Sequence, residues 1–365
     1  MKGLFRLYAI LILTAASLAL SGCGAALEKA AGPVKPEEES GDAGSEEPGV
    51  LQSDKKQDRS ETDPERTGSG PESHGQLKVE NGILKDREGK PFQLRGMSTH
   101  GIGWFPDYIN AGAMKSVKEA GGNVMRIAMY TQADRGYLSE PDRSMMLVKQ
   151  AVENARAMDM YVIVDWHILD DGDPNAHLDK AITFFDAVAS LYPKDPAILY
   201  EVCNEPNGVN WDRISEYAYA ICPVIRQYSP EAVIILGTPD YSSDLGSPTD
   251  KPFPGENILY AYHYYAGEHG GYSGLEKALK KNLPVFVSEW GIGKDGSGEP
   301  ALKEGREFAE FISEKGLSWC AWSLCNKDEV YSVLKPDCDK LSAWGEEDLT
   351  EVGRVMFSAM GGKAP

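Results

Sequence analysis

The chain has 365 residues, of which 42% are apolar, with 7 Trp and 17 Tyr, and its net charge is -19. This length allows two domains or one large barrel, and the apolar fraction suffices for a sizeable core. The negative charge argues against binding to nucleic acid or to an anionic membrane surface, and we interpret it as a contribution to solubility.

The first 23 residues have the layout of an export signal. Lys2 and Arg6 precede an apolar run from Leu7 to Leu20, which is too short for a comfortable membrane span. A Leu-Ser-Gly-Cys sequence ending at Cys23 resembles a bacterial lipobox, which implies cleavage before Cys23 and lipid attachment to its sulfur. We therefore expect an extracellular protein held at the bacterial cell surface by this lipid. The alternative is an ordinary signal peptide and secretion.

Residues 24–75 are rich in Glu, Asp, Ser, Gly, Pro and Lys and contain almost no large apolar side chains. Such a segment cannot bury enough surface to offset the entropy of ordering, so we expect a disordered tether. Globular patterning starts at Gln76, and residues 76–361 are predicted to form one folded domain.

The first globular element is predicted to be a β-hairpin. Leu77 to Glu80 and the pair Ile83-Leu84 flank Asn81-Gly82, which is typical of a type I′ turn. We expect the hairpin to close the lower end of the structure that follows it.

Eight strand-like apolar runs follow, alternating with amphipathic segments such as Ala113 to Ala120 and Arg143 to Met158. The runs are Phe92 to Gly96, Val124 to Ala128, Tyr161 to Asp165, Ile198 to Val202, Val233 to Leu236, Ile258 to Ala261, Val285 to Ser288 and Ser318 to Trp322. Eight such units in about 290 residues predict an α/β fold, a (β/α)8 TIM barrel. An open doubly wound sheet is the alternative, but no glycine-rich phosphate turn follows the first run.

Polar and aromatic residues cluster where seven of these eight strands end. Because the carboxyl ends of barrel strands meet at one face, these side chains are predicted to line a common mouth. They are His100, Trp104, Arg126, Tyr130, Asp165, Trp166, His167, Asn204, Glu205, His263, Tyr264, Tyr265, Glu289, Trp290 and Trp322.

Glu205 and Glu289 each follow a short apolar run and are predicted to face each other. Two facing carboxylates are the minimum for cleaving a glycosidic bond: one protonates the leaving oxygen, and the other attacks the anomeric carbon while ionised. Arg126, if it contacts Glu289, would keep that carboxylate ionised, and a hydrogen bond from Tyr265 could do the same.

Five cysteines follow Cys23, and an odd number in an exported chain leaves at least one unpaired. Cys203 and Cys320 lie in apolar runs and are predicted to be buried, whereas Cys325 and Cys338 lie in loop-like sequence and could pair. Their spacing does not suggest a zinc site.

Six segments together resemble glycoside hydrolase family 5, most closely its bacterial endo-β-1,4-glucanases. They are Leu94 to Gly101, Val162 to His167, Asn204 to Pro206, Ala261 to Gly267, Val287 to Gly291 and Trp322 to Glu329, and the resemblance covers about Gln76 to Met360. It implies hydrolysis of internal β-1,4-glucosidic bonds of cellulose or a related β-glucan, with retention through a covalent glycosyl-enzyme. We expect no cofactor and no metal, no nucleic-acid partner, and action as a monomer.

The resemblance also implies roles for single residues. Glu205 matches the acid/base and Glu289 the nucleophile. The residues matched to sugar binding are His100, Arg126, His167, Asn204, His263, Tyr265 and Trp322 near the cleaved bond and Trp104, Lys327 and Glu329 farther along the glycone side, and the position of Tyr130 adds it to this set. Cys325 and Asn326 depart from residues that relatives often carry. On the aglycone side, the candidates are Asn207, Trp211 and the loop Tyr241-Ser242-Ser243.

Three alternatives stay open. The same fold and mechanism could act on mannan, xyloglucan or mixed-linkage glucan. A non-catalytic sugar-binding surface protein would be expected to lack Glu205, Glu289 or Arg126, and all three are present. A metal-dependent hydrolase could use three histidines, but the first strand lacks a His-x-His pair, so neutral sugar-binding histidines are expected. These histidines are His100, His167 and His263.

Overall fold

The computed structural model describes residues 68–132 and 134–361. The strands in this part of the chain are β1 Lys78–Glu80, β2 Ile83–Lys85, β3 Arg95–Thr99, β4 Val124–Tyr130, β5 Tyr161–His167, β6 Ile198–Glu201, β7 Ile234–Leu236, β8 Ile258–Ala266, β9 Val285–Ile292 and β10 Trp319–Leu324. The helices are α1 Pro71–His74, α2 Ala111–Glu119, α3 Pro141–Ala157, α4 Leu178–Leu191, α5 Trp211–Tyr228, α6 Pro239–Ser242, α7 Gly246–Asp250, α8 Ser273–Lys280, α9 Leu302–Glu314 and α10 Glu351–Ala359, with 3-10 turns at Pro106–Ile109 and Pro174–His177.

Eight parallel strands, β3 to β10, close into a barrel, since β10 pairs with both β9 and β3. The predicted (β/α)8 barrel is confirmed, and each of the eight predicted runs contains or overlaps a strand. Strand β8 extends five residues beyond the predicted end at Ala261. The ladder continues because His263 and Tyr265 pair with Glu289 and Gly291 of β9 after a register shift.

Alternation along each strand divides the barrel interior into an apolar lower half and a polar upper half. On β5, Tyr161 and Ile163 belong to the lower core, whereas Asp165 and His167 are buried above it. The intervening side chains, such as Trp166, pack outward among the helices. The lower inward-facing side chains of each strand therefore stabilise the barrel. The uppermost ones provide the polar groups of the site.

The hairpin β1–β2 closes the floor of the barrel, as the sequence predicts. Asn81 and Gly82 both have positive φ (55° and 79°), which a type I′ turn requires. Leu77 and Leu84 are buried in the same cluster as Phe286 and the lower barrel residues. The amino-terminal end of the barrel is thereby sealed.

The disorder predicted for residues 24–75 does not extend over residues 68–75. Helix α1 lies there, and the His74 ring packs on Phe92 with centroids 4.1 Å apart while its Nδ1 lies 3.1 Å from Asp86 Oδ2. Tyr161 Oη donates to Gly75 O at 2.7 Å. Composition misses this segment because polar contacts, rather than its own apolar residues, hold it. The predicted signal, lipobox and remaining tether lie outside the described residues.

The five cysteines after Cys23 are free and buried. The burial predicted for Cys203 and Cys320 is confirmed. The possible pairing of Cys325 with Cys338 is not made: Cys325 Sγ lies 3.2 Å from Ser332 Oγ, and Cys338 Sγ contacts Lys340 O at 3.8 Å. Within the described ranges, none of the helices is long and apolar enough to span a membrane.

Candidate active site

Most of the predicted site residues converge on the carboxyl-terminal mouth of the barrel. The prediction is wrong for Trp166, Tyr264 and Trp290, because alternation along their strands turns these side chains outward into the core among the helices. Arg126 has no exposed surface, and Glu289 is 4% exposed. The Glu205 side chain reaches farther into the mouth, with 13% of it exposed. Both predicted catalytic carboxylates therefore line one cleft.

Arg126 connects these residues from below. Its guanidinium donates to both oxygens of Glu201 (2.7 and 3.2 Å), to Glu289 Oε2 (3.1 Å) and to Asn204 Oδ1 (2.7 Å). Asp165 Oδ2 lies 3.1 Å from its Nη2. Burial alone would lower the pKa of Arg126, but Asp165, Glu201 and Glu289 raise it well above its ordinary value. The predicted contact between Arg126 and Glu289 is present.

Both oxygens of Glu289 are held. Tyr265 Oη donates to Oε1 at 2.5 Å, and Arg126 donates to Oε2. Burial raises the pKa of Glu289 and the nearby charge of Glu205 adds to this, against the opposing effects of His263 and Arg126. The lowering expected from Arg126 is present but is outweighed, so the net direction differs from the sequence prediction.

His263 lies between the two carboxylates. Its Nδ1 is 2.9 Å from Glu205 Oε1 and 3.9 Å from Glu289 Oε1, and the ligand-type atoms of the three residues lie within 4.8 Å of one another. The two carboxyl groups are thus close enough for one bond-breaking centre to touch both.

The carboxylates around His263 favour its protonated, positively charged form. Burial alone would lower its pKa, but Glu289, Glu201 and Glu205 raise it to about 10. Both ring nitrogens face acceptors, because Nε2 lies 3.1 Å from Ser288 Oγ. This direction is opposite to the neutral state predicted for His263, and the reason is the density of carboxylates around it.

His167 and Asn204 are uncharged and are joined by a hydrogen bond beside Arg126. His167 Nδ1 donates to Asp165 Oδ2 at 2.6 Å, and Nε2 accepts from Asn204 Nδ2 at 3.2 Å. Burial, with Arg126 and His263, lowers the pKa of His167 well below its ordinary value. Since Asn204 Nδ2 also donates to Ile168 O at 3.0 Å, its amide is fixed with Oδ1 toward Arg126.

Aromatic rings form the wall of the cleft above this network. Trp322 is 6% exposed and stacks on His167 with centroids 5.4 Å apart, and Tyr130 stacks on the same ring at 4.0 Å. Trp104 meets Tyr130 edge-on at 5.0 Å. These flat apolar faces suit the faces of pyranose rings.

The residues predicted for the glycone side form an adjoining group. His100 Nε2 lies 3.6 Å from Glu329 Oε1 and 3.4 Å from Lys327 Nζ, and Lys327 pairs with Glu329 at 2.6 Å. Burial and then Lys327 lower the pKa of His100 to about 3, so this histidine is neutral. Cys325 is fully buried, and Asn326 donates to Cys338 O. These two residues, which differ from those that relatives often carry, therefore support the loop and do not line the cleft.

The aglycone candidates separate into two groups. Tyr241 is 50% exposed on α6, where Asp240, Tyr241 and Ser242 all have positive φ and where Ser242 Oγ donates to Asn204 O at 2.6 Å. Trp211 does not line the site: it is 4% exposed in the outer core and donates to Lys251 O. Its position at the start of α5 explains this, because the ring anchors that helix.

Sequence reasoning missed Glu201. It ends β6 inside the barrel, fully buried, with both oxygens on Arg126. The available signal was an acidic residue inside the apolar run Ile198 to Val202, on the inward side shared with Leu199. A charge at such a position requires a buried partner.

Glu205, His263 and Glu289 could hold a metal ion by donor type and spacing. The remaining contacts do not favour this. Arg126 and Tyr265 occupy both oxygens of Glu289, and His263 is charged, so a cation would have to displace them. The donor set fits proton transfer better than metal binding.

Comparisons with known proteins agree with this geometry. Residues 85–328 match the family model described as cellulase (glycosyl hydrolase family 5). The chain is 43% identical over 291 residues to endoglucanase N of Pectobacterium atrosepticum, an alignment that covers 78% of this chain and 65% of that protein. With endoglucanase 5 of Pectobacterium carotovorum, identity is also 43% over 291 residues, covering 78% of this chain and 57% of that protein. The chain thus spans less than two thirds of the length of both relatives.

Solved structures show the same barrel. The catalytic domain of an endoglucanase of Thermobifida fusca has a TM-score of 0.76 and 34% identity, covering 80% of this chain and 100% of that one. A second structure of that domain, with the same TM-score, identity and coverage, is in complex with cellotetraose.

The charge on His263 predicts a pH dependence of stability. Because its pKa rises from 6.5 to about 10 on folding, its contribution to the free energy of unfolding is full below pH 6.5 and is lost as the pH rises toward 10. The destabilisation by H263Q should therefore be largest in mildly acidic buffer and should shrink with rising pH. Urea midpoints of both proteins across this range measure it, and parallel curves would contradict the charged state.

Proposed function

The chain belongs to the cellulase family, glycosyl hydrolase family 5, and on that premise we propose that it hydrolyses internal β-1,4-glucosidic bonds of cellulose or a related β-glucan with retention of configuration. The observation that carries this proposal is the spacing of Glu205 and Glu289, whose facing oxygens lie within 4.8 Å. Retaining glycosidases hold their carboxyl groups about 5 Å apart, whereas inverting ones leave room for a water between them.

In the first step, Glu289 attacks the anomeric carbon while Glu205 gives its proton to the leaving oxygen. When Glu205 carries the proton, its charge no longer opposes ionisation of Glu289, and Arg126 and Tyr265 stabilise the ionised form. Burial raises the pKa of Tyr265 well above its ordinary value, so this phenol stays a donor. Once Glu205 has given its proton to the leaving oxygen, it is ionised and can act as the base in the second step.

In the second step, Glu205 takes a proton from the water that releases the glycosyl group from Glu289. Glu205 is the more exposed of the two carboxylates, which suits a group that must meet solvent. His263 donates to Glu205 Oε1 and fixes the direction from which the proton is exchanged. Asn204, with its amide oriented by His167 and Arg126, is placed to bind a sugar hydroxyl beside the reacting carbon.

A neutral, elongated substrate fits the walls of the cleft. Trp322 and Trp104 offer apolar faces, and His100 is uncharged. The relatives named endoglucanase and the cellotetraose complex of the Thermobifida domain support a β-1,4-glucan.

Substrate profiling tests the proposal. The purified protein should lower the viscosity of carboxymethylcellulose quickly and should act less on glucomannan, xyloglucan and barley mixed-linkage glucan. The first product released should be the β-anomer, as proton NMR can record. Preference for one of the other polymers would move the function to that substrate, and an α-anomer would overturn the retaining mechanism.

The two glutamates should fail in different ways. E289A removes the nucleophile and should abolish turnover while cellotetraose still binds. E205A should spare the first step with activated aryl glycosides, whose leaving groups need no proton, and then stall at the glycosyl-enzyme. Mass spectrometry of the trapped protein separates these outcomes. Rescue of E205A by azide with inverted product would show that the two roles are exchanged.

We propose that a lipid on Cys23 holds the protein at the outer surface of the bacterial cell. The apolar run and the Leu-Ser-Gly-Cys sequence before it support this.

Replacing the predicted lipid-bearing residue should release the protein. C23S should move activity from the membrane fraction to the medium or periplasm without changing kcat on a soluble substrate, because the barrel begins far along the chain from that residue. Wild-type protein that is already soluble and lipid-free would contradict the anchor.

A further inference from the structure

Glu201 lies one layer below the reacting carboxylates and touches the same arginine. It is fully buried, and its Oε2 accepts from Arg126 Nε at 2.7 Å while its Oε1 accepts from Nη2 at 3.2 Å. Two parallel charge-assisted hydrogen bonds of this kind fix the plane of a guanidinium as well as its position.

The rest of the Arg126 guanidinium faces the reacting groups. Nη1 donates to Glu289 Oε2 at 3.1 Å and to Ser98 Oγ at 3.2 Å, and Nη2 also donates to Asn204 Oδ1 at 2.7 Å. Because the guanidinium is rigid and planar, a rotation at its Glu201 edge moves Nη1 away from Glu289.

We propose that Glu201 is a positioning residue whose paired hydrogen bonds fix the guanidinium plane of Arg126 and thereby aim the carboxylate of Glu289 at the anomeric carbon. This inference rests on the proposed function. It assigns to Glu201 a part in the first chemical step although the side chain cannot reach the sugar.

Asp165 cannot substitute for Glu201 in this role. Burial opposes ionisation of both, but Arg126 and His263 lower the pKa of Glu201 to about 2, whereas burial raises the pKa of Asp165 well above its ordinary value. Asp165 also contacts Arg126 through a single oxygen, which it shares with His167. Glu201 is therefore the carboxylate that stays ionised and that binds the guanidinium through both of its oxygens.

Glu201 could also influence the reaction through His263, and the experiment must distinguish this effect from the effect through Arg126. Glu201 Oε1 lies 3.8 Å from His263 Nε2, and His263 Nδ1 contacts Glu205. Because His263 is within hydrogen-bond distance of Glu205 but 3.9 Å from Glu289, an effect through His263 would fall mainly on the proton donor. An effect through Arg126 falls on the nucleophile. The two differ in their dependence on the leaving group.

The experiment compares E201Q with wild type on aryl cellobiosides that have a good and a poor leaving group. Glutamine keeps the size of the side chain but places an amide N–H against Arg126, which breaks the pair of hydrogen bonds. We expect kcat/KM to fall roughly 10²-fold, by the same factor on both substrates, with cellotetraose affinity kept, because aim and not binding is lost. E201D, which keeps the charge, should recover part of the loss.

Two further variants test separate points: D86N controls for structural damage, and R126K tests whether Glu201 acts through Arg126. D86N removes another buried carboxylate, at the barrel floor beside His74, and should lower the thermal midpoint while leaving kcat/KM unchanged. R126K keeps the charge but cannot form the pair of bonds, so adding E201Q to R126K should cost little more.

Wild-type kinetics in E201Q, or a loss confined to the poor leaving group, would overturn the inference. If E201Q does not fold, E201D gives the same comparison: an equal loss on both substrates supports the inference, and unchanged kinetics overturn it. Wild-type protein that leaves both glycosides intact would overturn the proposed function and this inference together, whereas active wild type with an active E201Q overturns the inference alone.

Discussion

The burial of one arginine is the constraint on which the upper half of this barrel depends. Arg126 has no exposed surface, and a buried guanidinium is tolerated only where anions and hydrogen-bond acceptors surround it. Glu201, Asp165 and Glu289 supply the charges, and Asn204 and Ser98 supply neutral acceptors. The same contacts that make the buried charge tolerable also orient the reacting carboxylate, so stability and chemistry share one set of bonds.

The charges of this cluster do not cancel if all its acids are ionised. Two cations, Arg126 and His263, face four carboxyl groups, those of Asp165, Glu201, Glu205 and Glu289. Burial raises the pKa values of Asp165 and Glu289, and the neighbouring carboxylates raise them further. Glu289 must be ionised before it can attack, and its contacts with Arg126 and Tyr265 favour that form.

The sequence predicts the barrel and most of its mouth because both follow from position. Apolar runs reveal the eight strands, and the residues after them, such as Glu205 and Glu289, must meet at one end. The net effect of burial on Glu289 and the charge of His263 do not follow, since both depend on distances to groups far away in the chain. Glu201 lies within an apolar run that otherwise has the pattern of an ordinary buried strand, so its part in the site was not predicted. Trp211 shows the opposite error, because proximity in sequence to Glu205 does not place a side chain in the cleft.

The route by which the polypeptide enters the barrel also has a consequence. Helix α1 and the hairpin β1–β2 sit at the amino-terminal ends of the strands, where Gly75 meets Tyr161 and Leu84 joins the lower core. Whatever precedes residue 68 joins the barrel at the pole opposite the cleft. The point at which the chain enters the barrel is therefore remote from the opening in which the reacting carboxylates meet.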